Sequence, residues 1–277
     1  MIAWLAYRVA DLIVRTFPRR LADRVCVGLA RLAFHAGLPA RRAQEENLAT
    51  LFAEAPRRAI RARAREAFEH FALAFSDILR LDAIGPTALA RSVEVEGAEH
   101  LEAAVRSGRG VILLSAHLGN WEWGAAWLAA RVPRVHVLAR PHRSPGVERR
   151  FERVRRAWGV AMLPARSPWG PAARALRRGE WVALMADRPG RGRRGSPCAF
   201  AAALAGRTGA LVLPAVMVHR PGRRYAACFE PPRAGDRSRG AGAAGGGAGF
   251  GAVLRTLLRR YPGQWCAFEP VRGALGG

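Results

Sequence analysis

The chain has 277 residues, half of them hydrophobic, and 45 basic against 21 acidic side chains give it a net charge of +24. That length suits one large α/β domain, or a helical region joined to a domain of medium size. The charge implies an anionic partner: nucleic acid, anionic lipid, or an acidic protein or substrate. The four cysteines form no CxxC pair and have no histidines at metal-ligand spacing, so neither a metal site nor a disulfide framework is indicated and we expect a reduced compartment. No cofactor is expected.

Two amphipathic helices are predicted at the start of the chain. In residues 1–17, Arg8, Asp11 and Arg15 recur along one helical face and apolar side chains along the other, and residues 22–38 repeat the pattern. No apolar run reaches the roughly 18 residues that indicate a transmembrane helix, and no signal-peptide cleavage site is evident. The basic stripes favour helices that lie in, or are shallowly anchored to, a membrane interface. The alternative is that both helices pack on their own domain.

Helical patterning continues through residues 41–82, and from residue 91 short apolar strands alternate with helices. The predicted strands read VILLSA, VHVLAR, VAMLP, WVALMAD, ALVLPAVMVHR and YAACFEP. This alternation predicts an α/β fold with a mostly parallel sheet flanked by helices and preceded by the amphipathic N-terminal helices. We expect a membrane-associated helical region over residues 1–90 and an α/β core over residues 91–277. The glycine-rich segment 234–251 is too long for a nucleotide-binding loop and lacks the spacing of such a motif, so we interpret it as a flexible surface loop.

One histidine and one glutamate stand out at the end of the VILLSA strand. His117 falls in the turn that follows the strand, the position where open α/β sheets bind ligands. Asn120 is a good N-cap for the next helix, and Glu122 lies in the first turn of that helix. Glu122 is also the only acidic residue between Glu102 and Glu148. A carboxylate on one imidazole nitrogen fixes the tautomer and leaves the other nitrogen as a base, so the pair predicts proton abstraction from a hydroxyl or thiol.

Each residue of this pair also has a structural interpretation. Glu122 could stabilise the helix dipole, which is worth about 0.3–1 kcal/mol, and His117 could be a polar residue satisfied within its loop. A buried unpaired carboxylate would cost several kcal/mol, however, so we expect Glu122 to have a partner. We therefore predict that His117 and Glu122 form a catalytic dyad.

The motif AHLGNWEWG at residues 116–124 resembles the His-x4-Asp/Glu signature of glycerolipid-type acyltransferases. Its H-x-G-N-W-E form is similar to that of the late acyltransferases of lipid A biosynthesis and their relatives, which include mycobacterial mannoside acyltransferases. The resemblance extends to RAQEENLATLF near the N-terminus, to VEGAEHLEAAVRSGRGVILLSAH, to CAFAAALAGRTGALVLPAVMVHRPGRRY and to YPGQWCAFEP. It therefore covers most of the chain from about residue 40 onward.

The resemblance implies that His117 deprotonates an acceptor hydroxyl, that Glu122 orients and charges the imidazole, and that the alkoxide attacks an acyl thioester. No covalent acyl-enzyme is expected, because the chain has no G-x-S-x-G elbow. Asn120 and Trp121 complete the motif, and we expect them to position the turn and to bind substrate. Arg140, at the end of the VHVLAR strand, and the Asp187–Arg188 pair that ends WVALMAD are the further substrate-binding candidates, since guanidinium groups suit phosphate. Asp187 also matches an acidic residue that the family carries at this strand end.

The donor implied by the resemblance is an acyl carrier protein or acyl-CoA, and the acceptor is a lipid A precursor, a glycolipid or a lysophospholipid. The segments WCAFEP and ADRPG depart from the lipid A enzymes and leave the acceptor open. We expect the protein at the cytoplasmic face of a bacterial inner membrane, bound to anionic lipid. Three alternatives stay open: a hydrolase with the same dyad, a catalytically inactive membrane-binding relative, and a nucleic-acid-binding protein. No nucleic-acid partner is expected, because no nucleic-acid fold signature is present.

Overall fold

The computed structural model describes residues 2–164, 167–188, 196–235 and 244–271. Within these ranges the elements follow the order that the sequence predicts. The helices are α1 (Ile2–Thr16), α2 (Arg19–His35), α3 (Pro39–Leu51), α4 (Arg57–Arg80), α5 (Pro86–Arg91), α6 (Ala98–Arg106), α7 (Trp121–Ala129), α8 (Pro145–Ala157), α9 (Trp169–Arg177), α10 (Pro197–Thr208) and α11 (Ala244–Arg260). The strands are β1 (Val93–Glu96), β2 (Val111–Ser115), β3 (Val135–Ala139), β4 (Val160–Pro164), β5 (Trp181–Met185), β6 (Leu211–Arg220), β7 (Arg224–Phe229) and β8 (Arg233–Ala234).

The eight strands form one mostly parallel sheet in the order β1-β7-β6-β2-β5-β3-β4, with β8 paired to β6. Strands β2, β3, β4 and β5 are parallel to their neighbours, whereas β6 runs antiparallel to β7 and to β8. The predicted α/β fold with a mostly parallel, helix-flanked sheet is therefore confirmed. The short edge strand β1 is an addition, since its half-exposed VEVE sequence gave no strong strand signal.

Helices cover both faces of the sheet, and this explains the continuous apolar runs of the central strands. The sheet therefore has a separate hydrophobic core on each face. In β2, Ile112 and Leu114 point into the core on one face, and Val111 points into the core on the other face. The first core also receives side chains of α3, α4 and α9–α11, and the second those of α5–α8. A third cluster joins Tyr7 and Val14 of α1 to Leu79 of α4 and Phe151 of α8.

The two predicted N-terminal helices are present, and one face of each is exposed and apolar. Most of the large hydrophobic side chains that the described residues expose lie before residue 39: Leu5, Val9, Leu12, Phe17, Leu21, Leu29, Leu32 and Leu38. The opposite face of α1 packs on the protein through Tyr7 and Val14, so α1 carries apolar side chains both where it is buried and where it is exposed. Among the described helices, none is long and apolar enough to cross a membrane.

The interpretation of residues 234–251 as a flexible loop is wrong for their second half. Residues 236–243 lie outside the described part of the chain, but helix α11 begins at Ala244 and runs to Arg260. Phe250 is buried in the core, and Gly247 lies so close to Ala199 of α10 that a side chain there would be crowded. Helix packing thus overrides the weak helix propensity of a glycine-rich sequence.

Candidate active site

The register of the sheet brings His117 and Asp187 together. Strands β2 and β5 are parallel neighbours in which Ser115 pairs with Met185, and each candidate residue follows its strand end by two positions. Both residues therefore lie at the carboxyl edge of the sheet, where ligands bind in open α/β folds.

The carboxylate that contacts the His117 imidazole is Asp187. Its Oδ1 lies 2.9 Å from Nδ1 of His117, and its Oδ2 accepts hydrogen bonds from the His117 backbone N–H (3.1 Å) and from the Trp265 indole N–H (2.8 Å). Asp187 is completely buried. Burial raises the pKa of Asp187, but the charge and hydrogen bonds of His117 and the Trp265 indole outweigh this and hold the pKa below its usual value. Because the ionised Asp187 carboxylate can only accept a hydrogen bond, Nδ1 of His117 carries the proton.

That tautomer leaves Nε2 of His117 with a lone pair. Among the described residues this nitrogen has no hydrogen-bond partner, and the side chain keeps 15% of its surface exposed. The Trp121 ring packs edge-to-face on the imidazole, with 4.9 Å between ring centroids. The arrangement is an oriented imidazole whose outer nitrogen can accept a proton.

Glu122 has a different partner from the one that the sequence suggested. Its two oxygens bind Arg155 of α8 in a bidentate pair, with 2.9 Å between Arg155 Nε and Oε2 and a second bond from Nη2 to Oε1. Both side chains are about 6% exposed. Burial lowers the pKa of Arg155, but the hydrogen bonds and charge of Glu122 more than compensate, so the net shift is upward. In this geometry the carboxylate on Nδ1 of His117 is Asp187, and Glu122 ties the start of α7 to α8.

Arg155 of α8 was missed in the sequence analysis. The signal was present in the helical spacing, because Arg155 lies one turn after Phe151 and next to Val154, both of which are buried. An arginine on the apolar face of a helix needs a buried anion as a partner.

A tight turn carries His117 from β2 to α7. Gly119 has φ +63°, and a side chain there would collide with the carbonyl of Met217, so only glycine fits. Backbone hydrogen bonds hold the turn in place. The Gly119 N–H donates to the Gln264 carbonyl (2.9 Å), and the Asn120 N–H donates to the Met217 carbonyl (2.8 Å). The His117 carbonyl accepts from the Cys266 N–H (2.7 Å). The position of His117 is therefore fixed from β6 and from the C-terminal segment.

Asn120 is the N-cap of α7, as predicted. Its side-chain oxygen accepts from the backbone N–H of Trp123 (3.1 Å), and its amide donates to the Tyr225 hydroxyl (2.9 Å) and the Ala74 carbonyl (3.3 Å). The Tyr225 hydroxyl donates in turn to Asp77 (2.5 Å). Because Asn120 is fully buried, these contacts give it a structural role that links the His117 turn to α4.

The N-terminal helix α3 supports the site through the C-terminal segment. Gln44 donates to the Trp265 carbonyl (2.6 Å), and Asn47 donates to the carbonyls of Ala267 (2.7 Å) and Glu269 (2.8 Å). Two distant stretches singled out in the sequence, RAQEENLATLF and YPGQWCAFEP, thus form one unit that holds the Trp265 indole on Asp187.

The remaining candidates lie at the same sheet edge without contacting His117. Arg140 follows β3, two strands from β2 in the sheet, and is exposed. Arg188 is half-buried, with Nη1 3.7 Å from Glu269 and a buried Nε that has no partner among the described residues. The arginine-rich tract after Arg188 lies outside the described residues. In the described part of the chain, no group of three or more His, Cys, Asp or Glu side chains is arranged to hold a metal ion.

Comparison with known proteins identifies the family of the chain. Residues 1–239 match the model of the bacterial lipid A biosynthesis acyltransferase family. The chain is 28% identical over 188 residues to a phosphatidylinositol mannoside acyltransferase of Mycolicibacterium smegmatis, covering 66% of this chain and 61% of that protein. It is 30% identical over 126 residues to the protein of the same name from Mycobacterium tuberculosis, covering 43% and 40%. The match thus spans less than two thirds of the length of either relative. On the family match, the chain belongs to the bacterial lipid A biosynthesis acyltransferases.

Proposed function

We propose that this protein transfers a fatty acyl group from an acyl carrier protein or acyl-CoA thioester to a hydroxyl of a lipid acceptor. The observation that carries the proposal is the His117 imidazole, held on Nδ1 by the buried Asp187 and unpartnered at Nε2 within the described residues. Family membership supports the same chemistry. The relatives' names favour a glycolipid among the candidate acceptors, which also include a lipid A precursor and a lysophospholipid.

In the proposed mechanism, Nε2 of His117 takes the proton of the acceptor hydroxyl as its oxygen attacks the thioester carbonyl. The tetrahedral intermediate collapses with loss of the thiolate, which takes the proton from Nε2 and leaves as the thiol. Asp187 stabilises the transient imidazolium without accepting its proton. General-base catalysis of this kind contributes about 10²–10⁴ in rate.

In this proposal the orienting role belongs to Asp187 rather than to Glu122, and the support is the 2.9 Å contact between Asp187 Oδ1 and His117 Nδ1. Glu122 and Arg155 then act together, because their buried pair fixes the first turn of α7, next to the His117 turn, against α8. Substitution of Glu122 or Arg155 would therefore affect the position of His117 indirectly, by moving the start of α7.

We propose that α1 and α2 hold the protein on a membrane, at the cytoplasmic face of a bacterial inner membrane. The support is the row of exposed leucines on these helices, with Leu12 and Leu32 more than 60% exposed, beside exposed arginines such as Arg8, Arg20 and Arg24. Apolar side chains flanked by arginines are typical of helices that lie in an anionic interface. On this proposal residues 1–90 are the membrane-associated part and residues 91–277 the catalytic part.

The test is acyl transfer from labelled acyl carrier protein and acyl-CoA donors into a bacterial lipid extract, with products resolved by mass spectrometry. We expect a new acylated lipid that is lost in His117→Ala. Arg61→Gln is a suitable control, because Arg61 is an exposed residue of α4. Release of free fatty acid alone would instead identify a hydrolase, and turnover that survives His117→Ala would overturn the mechanism.

A further inference from the structure

An open groove lies between α2 and α4, and none of the residues assigned above to the acyl-transfer chemistry lines it. Its volume is about 500 Å³. The side chains along it are those of Arg20, Asp23, Arg24, Val27, Arg31 and Leu73. The groove therefore combines arginines with an apolar wall.

Positive charge is available at the end of the groove near the start of α2. Arg20 and Arg24 are exposed, and in the part of the chain that the structure describes neither has a hydrogen-bond or ion-pair partner. Asp23, the acid of the lining, is buried and engaged within the protein, since it accepts a hydrogen bond from Ser76 (2.8 Å) and lies 3.9 Å from Arg80. Its carboxylate is thus not what the two arginines bind.

The spacing of Arg20 and Arg24 suits a single phosphate group. Residues four apart lie on the same face of a helix, about 6 Å apart along its axis. Two guanidinium groups at this separation can donate to different oxygens of one phosphate. Arg31, toward the other end of the groove, is already paired with Glu69 (2.9 and 3.1 Å). An anion is therefore expected at Arg20 and Arg24.

Gly28 keeps the groove open beside this charge. A side chain at Gly28 would meet no atom within 4 Å, so close packing does not require glycine at this position of the helix. Val27 and Leu73 are half-buried along the same groove. A polar end with an apolar wall suits a ligand that joins a phosphate to a glycerol and the first carbons of an acyl chain.

The groove borders the exposed leucines of α2, and this position identifies the source of the phosphate. At about 100° per residue, Arg20 and Arg24 leave the helix about 60–120° away from the exposed Leu21 and Leu32. When leucines enter the apolar layer of a membrane, side chains on the flank of the helix lie at the level of the headgroups. A phosphate at that level belongs to a lipid.

We propose that this groove binds the headgroup of one anionic glycerophospholipid, with its phosphate between Arg20 and Arg24 and its glycerol along Val27 and Leu73. The inference rests on the proposed membrane attachment through α1 and α2, and it adds a specific lipid partner to that attachment. Diffuse attraction between a basic surface and an anionic membrane depends on the number of charges. Binding in the groove depends also on the open space at Gly28.

Short-chain lipids that remain monomeric test the groove without a membrane. Dihexanoylphosphatidylglycerol and dihexanoylphosphatidylcholine are titrated into the full chain by calorimetry below their micelle concentrations, with inorganic phosphate as a third probe. We expect saturable binding of the phosphatidylglycerol that is at least about tenfold tighter than that of either other probe, because only this lipid combines a net negative charge with a glycerol and acyl chains. His117→Ala should bind equally well, which keeps this test independent of the transferase assay.

Gly28→Gln fills the groove without changing the charge of the protein. We expect it to weaken binding of the phosphatidylglycerol at least about tenfold while α2 stays intact, since glutamine is the better helix former. Ala103→Gln places the same side chain on an exposed position of α6 and should bind as wild type does. Circular dichroism of both variants verifies the fold.

A pair of double variants tests the arginines. Arg20→Gln/Arg24→Gln should weaken binding at least about tenfold, because it removes both phosphate donors. Arg57→Gln/Arg61→Gln removes two exposed arginines with the same spacing from α4, so its affinity should stay within about twofold of wild type.

Vesicles separate this inference from membrane attachment itself. Gly28→Gln should weaken binding to phosphatidylglycerol-containing vesicles but not to pure phosphatidylcholine vesicles, whereas loss of exposed leucines should weaken both. The groove is overturned if the three soluble probes bind equally, if Gly28→Gln binds as wild type does, or if the two double variants lose affinity equally, even where wild type binds vesicles. Failure of wild type to bind any vesicle would overturn the attachment and this inference together.

Discussion

Glu122 and Arg155 form a bidentate ion pair in the interior, across the interface of α7 and α8. The pair explains why an apolar segment keeps one carboxylate. A buried guanidinium on the apolar face of α8 is tolerated only with an anion beside it, and Glu122 supplies that anion.

Breaking this pair should destabilise the protein more than removing it whole. Glu122→Leu and Arg155→Met each leave one buried charged group uncompensated, so we expect each to lower the free energy of unfolding by about 3–5 kcal/mol. The double variant Glu122→Leu/Arg155→Met should recover a large part of that loss, and with it part of the activity. Urea unfolding and kcat of the four proteins provide the cycle. Single variants whose free energy of unfolding lies within about 1 kcal/mol of the wild-type value would contradict the buried pair. A double variant that is stable but inactive would indicate that Glu122 takes part directly in catalysis.

Asp187→Asn tests which carboxylate orients His117. Asparagine fits the same space but no longer favours the Nδ1-protonated tautomer or stabilises the imidazolium, so kcat should fall about 10²–10⁴-fold. The pH profile of kcat is the readout that a purely structural role would not change, and circular dichroism verifies the fold. Should Asp187→Asn keep kcat within about threefold while Glu122→Gln, measured where circular dichroism shows it folded, loses kcat, the orienting role belongs to Glu122.

Gly119→Ala should impair both folding and catalysis. The added methyl group meets the Met217 carbonyl at a backbone conformation that already disfavours side chains. Gly159→Ala is the matched control, because Gly159 has a similar φ of +74° but open space around it. The control should cost about 1–2 kcal/mol in unfolding free energy, and Gly119→Ala distinctly more. Equal losses in the two variants would show that the His117 turn is not tightly enclosed.

His219 should make the protein acid-sensitive. Its pKa is lowered to about 3 in the folded state by burial and by the charges of His70 and Arg19, whereas an unfolded histidine titrates near about 6.5. The unfolded state therefore binds more protons between these values, and stability falls as the pH drops through this window.

His219→Phe keeps the ring among Tyr225, His70 and Gln264 but cannot take up a proton. We expect a shallower loss of unfolding free energy between about pH 6 and pH 4 than in wild type. Substitution of the exposed His35 by Gln serves as the control and should leave the slope of wild type. An unchanged slope in His219→Phe would mean that His70 and the buried carboxylates dominate acid unfolding.

Membrane attachment through α1 and α2 predicts a loss of vesicle binding on removal of exposed leucines. Leu12→Ser and Leu32→Ser each delete a side chain worth about 1.5–3 kcal/mol when buried in an apolar phase, so the double variant should bind anionic vesicles at least tenfold more weakly. Val105→Ser removes an exposed apolar side chain from α6 and should bind as wild type does. Equal binding by all three proteins would leave these helices with a packing role only.

The sequence by itself determined the order of the elements and the strand end at which we propose the chemistry. Periodicity located the strands from VILLSA to YAACFEP, because covered parallel strands are continuous apolar runs. The H-x-G-N-W-E motif located His117 at a strand end and Asn120 at a helix start, which are local properties of a strand–turn–helix sequence. The same local reasoning failed for the second half of the glycine-rich segment 234–251, where contacts with α10 form a helix that propensity disfavours.

Only the tertiary structure decided which charges meet. Asp187 is 70 residues from His117 in sequence, and it reaches the imidazole because β5 lies beside β2 in the sheet, an adjacency that strand spacing does not encode. Glu122 is five positions from His117, yet the fold pairs it with Arg155 from another helix. Sequence patterns report what one helix or strand requires of its own residues, whereas electrostatic pairing depends on which elements become neighbours, and that is fixed only when the whole sheet assembles.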